Sequence, residues 1–147
     1  MDNNRIPAPE FEFRHRISVQ LRFNDADVFG HVNNAMYYQY FDMAKLAYFR
    51  AVMGDDFDMR HIALVIVNAN CNFYAPVLLT DRVEVLTATA RVGEKSLCIE
   101  QRLTGTDGTV HSICTTVMAG FDPATMESAA IAPLWRERLS QFEGRPF

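Results

Sequence analysis

The sequence has no excess of basic charge: 14 Lys and Arg stand against 18 Asp and Glu, a formal charge of -4. A duplex binder needs a basic face, so nucleic acid is not an expected partner, although a local basic patch for a phosphorylated small molecule stays open. Cysteine is scarce. Cys71, Cys98 and Cys114 are odd in number and show no C-x-x-C spacing, which reads as reduced strand residues in a cytoplasmic compartment. The opening MDNNRIPAPEFEF lacks the apolar core of a signal peptide. No G-x-S-x-G elbow, Walker loop, G-x-G-x-x-G or H-E-x-x-H occurs, so serine-triad and nucleotide-binding readings lose their signatures and no cofactor is expected.

What is present is enough chain for one core. The 147 residues fit one domain, with a core over about 11–122 and a C-terminal tail. A chain of this size buries roughly 68 to 70% of its unfolded surface, so no disulfide or metal staple is needed. Hydrophobic residues at 49% and charged residues at 22% describe an ordinary globular protein, and no membrane span is expected.

The patterning divides the chain. From Phe11 to Phe23 the odd positions are Phe, Phe, His, Ile, Val, Leu and Phe while the even ones are polar, the alternation of a half-buried strand. After NDADVFGHVNN the pattern changes to a helix that begins near Asn33 or Asn34 and stops at Gly54. Its polar residues Gln39, Asp42 and Lys45 are three apart, with Arg50 beyond, and predict one narrow wet stripe, with the rest enclosed by protein. Strand-like runs follow. HIALVIVN suits a central strand, NANCNFYAPV puts Asn68, Asn70 and Asn72 on one face, and RVEVLTATARV, SLCIEQRL and VHSICTTVMAGF are separated by turn signals at Gly93 and Asp107-Gly108. APLWRERLSQFEG predicts a short terminal helix. The order implies an α+β fold, an antiparallel sheet wrapped around one long helix, with strand edges or an outer face covered by another subunit.

Chemistry concentrates between Asn24 and Asn34, at a strand-to-helix junction. Free N–H groups and the positive end of the helix dipole lie beside carboxylates there, which is what polarising a carbonyl requires. The same Asx residues also suit turns and caps. Asp25-x-Asp27 with Gly30 lacks the later ligands of a calcium loop, and His31 has no second His nearby, so no metal set is expected.

The stretch LRFNDADVFGHVNNAMYYQYFDMAK strongly resembles the start of the hotdog-fold acyl-CoA thioesterases of the 4-hydroxybenzoyl-CoA thioesterase type: strand, Asp-x-Asp, Gly-His-Val-Asn-Asn turn, Tyr-bearing helix. NFYAPVLLTDRVEV and VGEKSL resemble later family segments, so the likeness runs from Ile17 to Phe121. The resemblance implies hydrolysis of acyl-CoA to free acid and CoA. It makes Asp27 the catalytic carboxylate, nucleophile or general base, and puts the oxyanion-binding N–H at or near Asn34. His31 and Asn33 would shape the turn and touch the thioester or water, Gly30 would let the backbone pass close to substrate, and Tyr37 would line the acyl pocket. Arg91, Lys95 and Ser96 would meet the CoA phosphates. It also implies a homodimer or dimer of dimers. Plant-type acyl-ACP thioesterases carry a catalytic Asn where Phe29 stands, which makes an acyl-ACP substrate the lesser alternative. A non-catalytic acyl-CoA-binding hotdog module is another, and a dehydratase is disfavoured because no matching motif surrounds His61 or His111.

Overall fold

The computed structural model describes residues 5–147; the first four residues of the segment read as lacking a leader core lie outside the described residues. Five strands, β1 (His15–Val19), β2 (Leu64–Phe73), β3 (Val83–Val92), β4 (Ser96–Gly105) and β5 (Val110–Gly120), form one antiparallel sheet in the order β1-β3-β4-β5-β2. Between the two edge strands the chain runs through helix α1 (Asn34–Met53), which lies across one face of the sheet. This is the hotdog architecture that the motifs imply.

Helix α1 forms where its caps predict. The Asn33 side chain accepts from Ala35 N at 3.0 Å, and Gly54 ends the helix at φ 88°, a conformation that favours glycine. Tyr37, Tyr40, Phe41, Ala44, Tyr48 and Phe49 press onto Val83, Val85, Ile99 and Leu103 of the sheet, forming two adjoining cores. Each large side chain buried this way contributes about 1.5–3 kcal/mol. A second helix, α2 (Pro133–Glu143), opens with proline and ends at Gly144 with φ 69°. It packs Trp135 and Leu139 against the C-terminal half of α1. Its Glu143 accepts from Tyr48 Oη at 2.5 Å and Thr89 N at 2.9 Å, which ties α2 to both helix and sheet.

Three expectations are corrected. The alternation of burial does run from Phe11 to Val19, but ladder pairing begins only at His15, and Phe23–Asp25 coils into one helical turn that buries Asp25. The HIALVIVN run is not central: β2 is an edge strand whose Val65, Ile66 and Val67 are exposed, and β4 takes the middle. The helix is not enclosed except for a Gln39–Asp42–Lys45 stripe, because Lys45 is buried while Met43 and Leu46 face solvent. Each step of three residues turns about 300°, so between residues 39 and 45 the stripe drifts about 120° around the helix and carries Lys45 inward. Asn68, Asn70 and Asn72 do share one face, the exposed one opposite α1, while Cys71 and Phe73 face the helix.

Candidate active site

The turn from Ala26 to Val32 is closed by a bridge between those two residues and by Asp27 N donating to His31 O at 2.8 Å. Gly30, at φ 77° with open space around its Cα, supplies the left-handed residue the turn requires. His31 bridges Leu78, and Val32 N donates to Val77 O at 2.8 Å, so the turn is sewn to the chain that precedes β3.

Two carboxylates flank this turn in different states. Asp25, 1% exposed, accepts from Tyr40 Oη at 2.6 Å, Arg22 N at 3.0 Å and Arg22 Nε at 3.2 Å. Burial pushes its pKa up, but the Tyr40 and Arg22 bonds and the Arg22 charge outweigh that and hold the carboxyl below its usual range. Burial, reinforced by the Asp25 bond, raises the Tyr40 phenol. Asp27 is half-buried. One oxygen, Oδ1, accepts from Phe29 N at 2.9 Å and weakly from His31 N at 3.4 Å, while Oδ2 has no partner among the described residues.

Asp27, His31 and Asn34 line a cleft of about 270 Å³ together with Tyr37, Phe73, Tyr74, Ala75 and Pro76. Asn33 caps α1, and the N–H of Asn34, the first helical residue, has no acceptor among the described residues. The cleft therefore opens onto the positive end of a 20-residue helix and a free donor, with a carboxylate at its rim. Tyr37 is buried edge-on against Phe73, ring centres 5.1 Å apart, and its burial raises its pKa. Phe29, 79% exposed, presents no polar group to the cleft.

The remaining expected residues lie elsewhere. Arg91 and Ser96 line a small cleft of about 120 Å³ at the β3–β4 turn, and Lys95 is exposed beside it. β3 leaves the Asp27 end of the sheet at Val83, whose partner Val19 ends β1, and reaches this turn after ten residues. At about 3.3 Å per residue the two clusters stand roughly 30 Å apart, so one chain does not bring them together.

His111 was missed by local sequence reasoning. It is buried, with Nδ1 within 3.3 Å of Ala75 O and 3.1 Å of Pro76 O, so that nitrogen carries the proton and fixes the far wall of the cleft. Nothing in the residues around position 111 signals this, because the partners are about 36 positions away in sequence. Among the described residues no group of three His, Cys, Asp or Glu side chains is placed to hold a metal ion, and no helix is long and apolar enough to cross a membrane.

Comparison with known proteins follows the same lines. Residues 21–139 match the thioesterase-like superfamily. The chain is 28% identical over 127 residues to the long-chain acyl-CoA thioesterase FadM of Escherichia coli, covering 84% of this chain and 95% of that protein. A 28% match to YsmA of Bacillus subtilis spans 91 residues, 58% of that protein. A crystal structure of a thioesterase from Thermus thermophilus, complexed with coenzyme A and zinc, superposes with a TM-score of 0.82 at 30% identity, covering 92% of this chain and 98% of that one. These relatives support a thioester hydrolase. By the extent of the match and the fold it shares, the chain belongs to the thioesterase-like superfamily.

Proposed function

We propose that this protein hydrolyses an acyl-CoA thioester to free acid and CoA, with Asp27 as the catalytic carboxylate. The observation that carries the reading is one cleft, at the start of α1, lined by Asp27, which keeps one oxygen without a partner among the described residues, and by Asn34, whose N–H has no acceptor among them. The thioester oxygen accepts from Asn34 N–H under the helix dipole. Asp27 then attacks the carbonyl carbon and expels the CoA thiolate to give a mixed anhydride that water hydrolyses to the free acid, or it takes the proton of an attacking water whose addition expels the CoA thiolate. A donor of this kind contributes about 3–4 kcal/mol to the transition state. His31 and Asn33 hold the turn, Gly30 gives it its conformation, and Tyr37 with Phe73 forms the acyl wall.

Within the superfamily, the Asp-x-Asp and Gly-His-Val-Asn-Asn run supports the 4-hydroxybenzoyl-CoA thioesterase type. Coenzyme A in the Thermus relative supports CoA as the carrier. The reading includes a homodimer. Edge strand β2 carries exposed Val65, Ile66 and Val67, and α1 leaves Tyr38 and Leu46 exposed, apolar surface that a lone chain leaves open to pairing. A second copy also supplies what one chain lacks, since its Arg91, Lys95 and Ser96 can meet the CoA phosphates that extend from the first copy's cleft.

The test is a panel of short, long, aryl and 3-hydroxyacyl-CoAs mixed with the protein and a thiol reagent. Release of free CoA is expected. Binding without release would make the protein a non-catalytic module, and enoyl absorbance without thiol would make it a dehydratase.

A further inference from the structure

The far wall of the Asp27 cleft hangs on one residue of β5. Two bonds run through the His111 backbone: Tyr74 N donates to its carbonyl oxygen at 2.8 Å, and Ala75 N donates to the same oxygen at 3.4 Å. Two more run through the ring, where the Nδ1–H is shared between Ala75 O at 3.3 Å and Pro76 O at 3.1 Å, a three-centre bond. Pro76 has no N–H to donate, so its carbonyl is the polar backbone group through which it can be anchored. One residue further on, Val77 O accepts from Val32 N at 2.8 Å. The wall is therefore pinned to His111 on one side and to the Asp27 turn on the other.

The ring is 95% buried, since His111 is 5% exposed, and its second nitrogen is turned to different surroundings. Nε2 has no partner among the described residues and lies beside Gly105, where a Cβ would stand 3.3 Å from it, at a separate cleft lined by Thr80, Asp81, Arg82, Thr106 and Asp107. Only Nδ1 addresses the wall.

We propose that His111 is a positioning residue for thioester hydrolysis, its Nδ1–H keeping the Ala75 and Pro76 carbonyl oxygens drawn onto the ring and out of the cleft. The role rests on the hydrolase reading above. Ala75 and Pro76 line the same cleft as Asn34, whose N–H receives the thioester oxygen in that reading. Without the ring donor both carbonyl oxygens are short of a partner, a costly state that rotation toward solvent in the cleft relieves. Such a rotation brings the negative end of a carbonyl dipole toward the developing oxyanion and works against the donor arranged to stabilise it. It also slackens Val77 and the turn that aims Asp27, and a misplacement of about 1 Å can cost about 100-fold in rate. Both effects fall on the transition state, so they lower kcat and leave KM nearly unchanged.

Two substitutions carrying the same carboxamide separate this role from filling space. The N–H of Asn sits two bonds from Cβ, as Nδ1 does, whereas that of Gln sits three bonds away, as Nε2 does. In steady-state CoA release, His111→Gln should lower kcat by about 10- to 100-fold with KM close to the unsubstituted value, and His111→Asn should recover most of that loss. Ser112→Ala, which deletes the hydrogen bond from the neighbouring Oγ to Asn72 O at 2.8 Å, should lower the unfolding midpoint while kcat stays unchanged. Full kcat in His111→Gln, no recovery in His111→Asn, or a loss in Ser112→Ala as large as in His111→Gln would overturn the proposal. Absence of CoA release by the unsubstituted protein would instead overturn the hydrolase reading, and this role with it.

Discussion

Asp25 and Asp27 stand two residues apart in one turn. Asp25 is sealed from solvent and saturated with donors, which fixes it as an anion whose work is to hold Arg22, the helical turn and Tyr40 of α1 together. Asp27 is half-exposed, lines a cleft and keeps one oxygen without a partner among the described residues. A spent carboxylate organises the fold, and an unspent one is available for chemistry.

Three variants sharpen or break that contrast. Asp25→Ala leaves the Tyr40 hydroxyl and the Arg22 N–H without their partner and should lower unfolding free energy by about 2–4 kcal/mol in denaturant titrations. A loss no greater than for Asp27→Ala would erase the distinction. Tyr40→Phe removes one charge-assisted bond and should cost about 1.5–3 kcal/mol. Asn33→Ala, which deletes only the cap, should cost about 1 kcal/mol.

The pH dependence follows from the depressed Asp25 carboxyl. A lowered folded-state pKa adds stability that is complete above the unfolded carboxylate value and is lost as pH falls through the folded one. Acid titration of unfolding free energy should therefore show a decline below the ordinary carboxylate range that Asp25→Asn flattens. An unchanged acid limb in that variant would assign the effect to other groups.

Much of the fold was legible because its signals are local. Asn33 and Gly54 bracket α1, Gly93 and Asp107-Gly108 mark the turns, and Pro133 with Gly144 brackets α2. Placement of strands was not. β2 and β4 are both rich in apolar residues, yet β4 is central and largely buried while β2 is an edge with three exposed aliphatics. Hydrophobicity records that a surface must be covered, not whether the cover comes from the same chain. At the cleft, the motif marked Asp27, His31, Asn34 and Tyr37, but Phe73, Pro76 and His111 arrive through long-range pairing that no local spacing encodes.

Substituting Asp27 by Asn keeps size and turn hydrogen bonding while removing the charge. Steady-state CoA release by this variant, measured beside its thermal unfolding, tests the central claim most directly. The account predicts a fall in kcat of roughly 10²–10⁴-fold with an unfolding midpoint close to that of the unsubstituted protein. Turnover at the unsubstituted rate would contradict it.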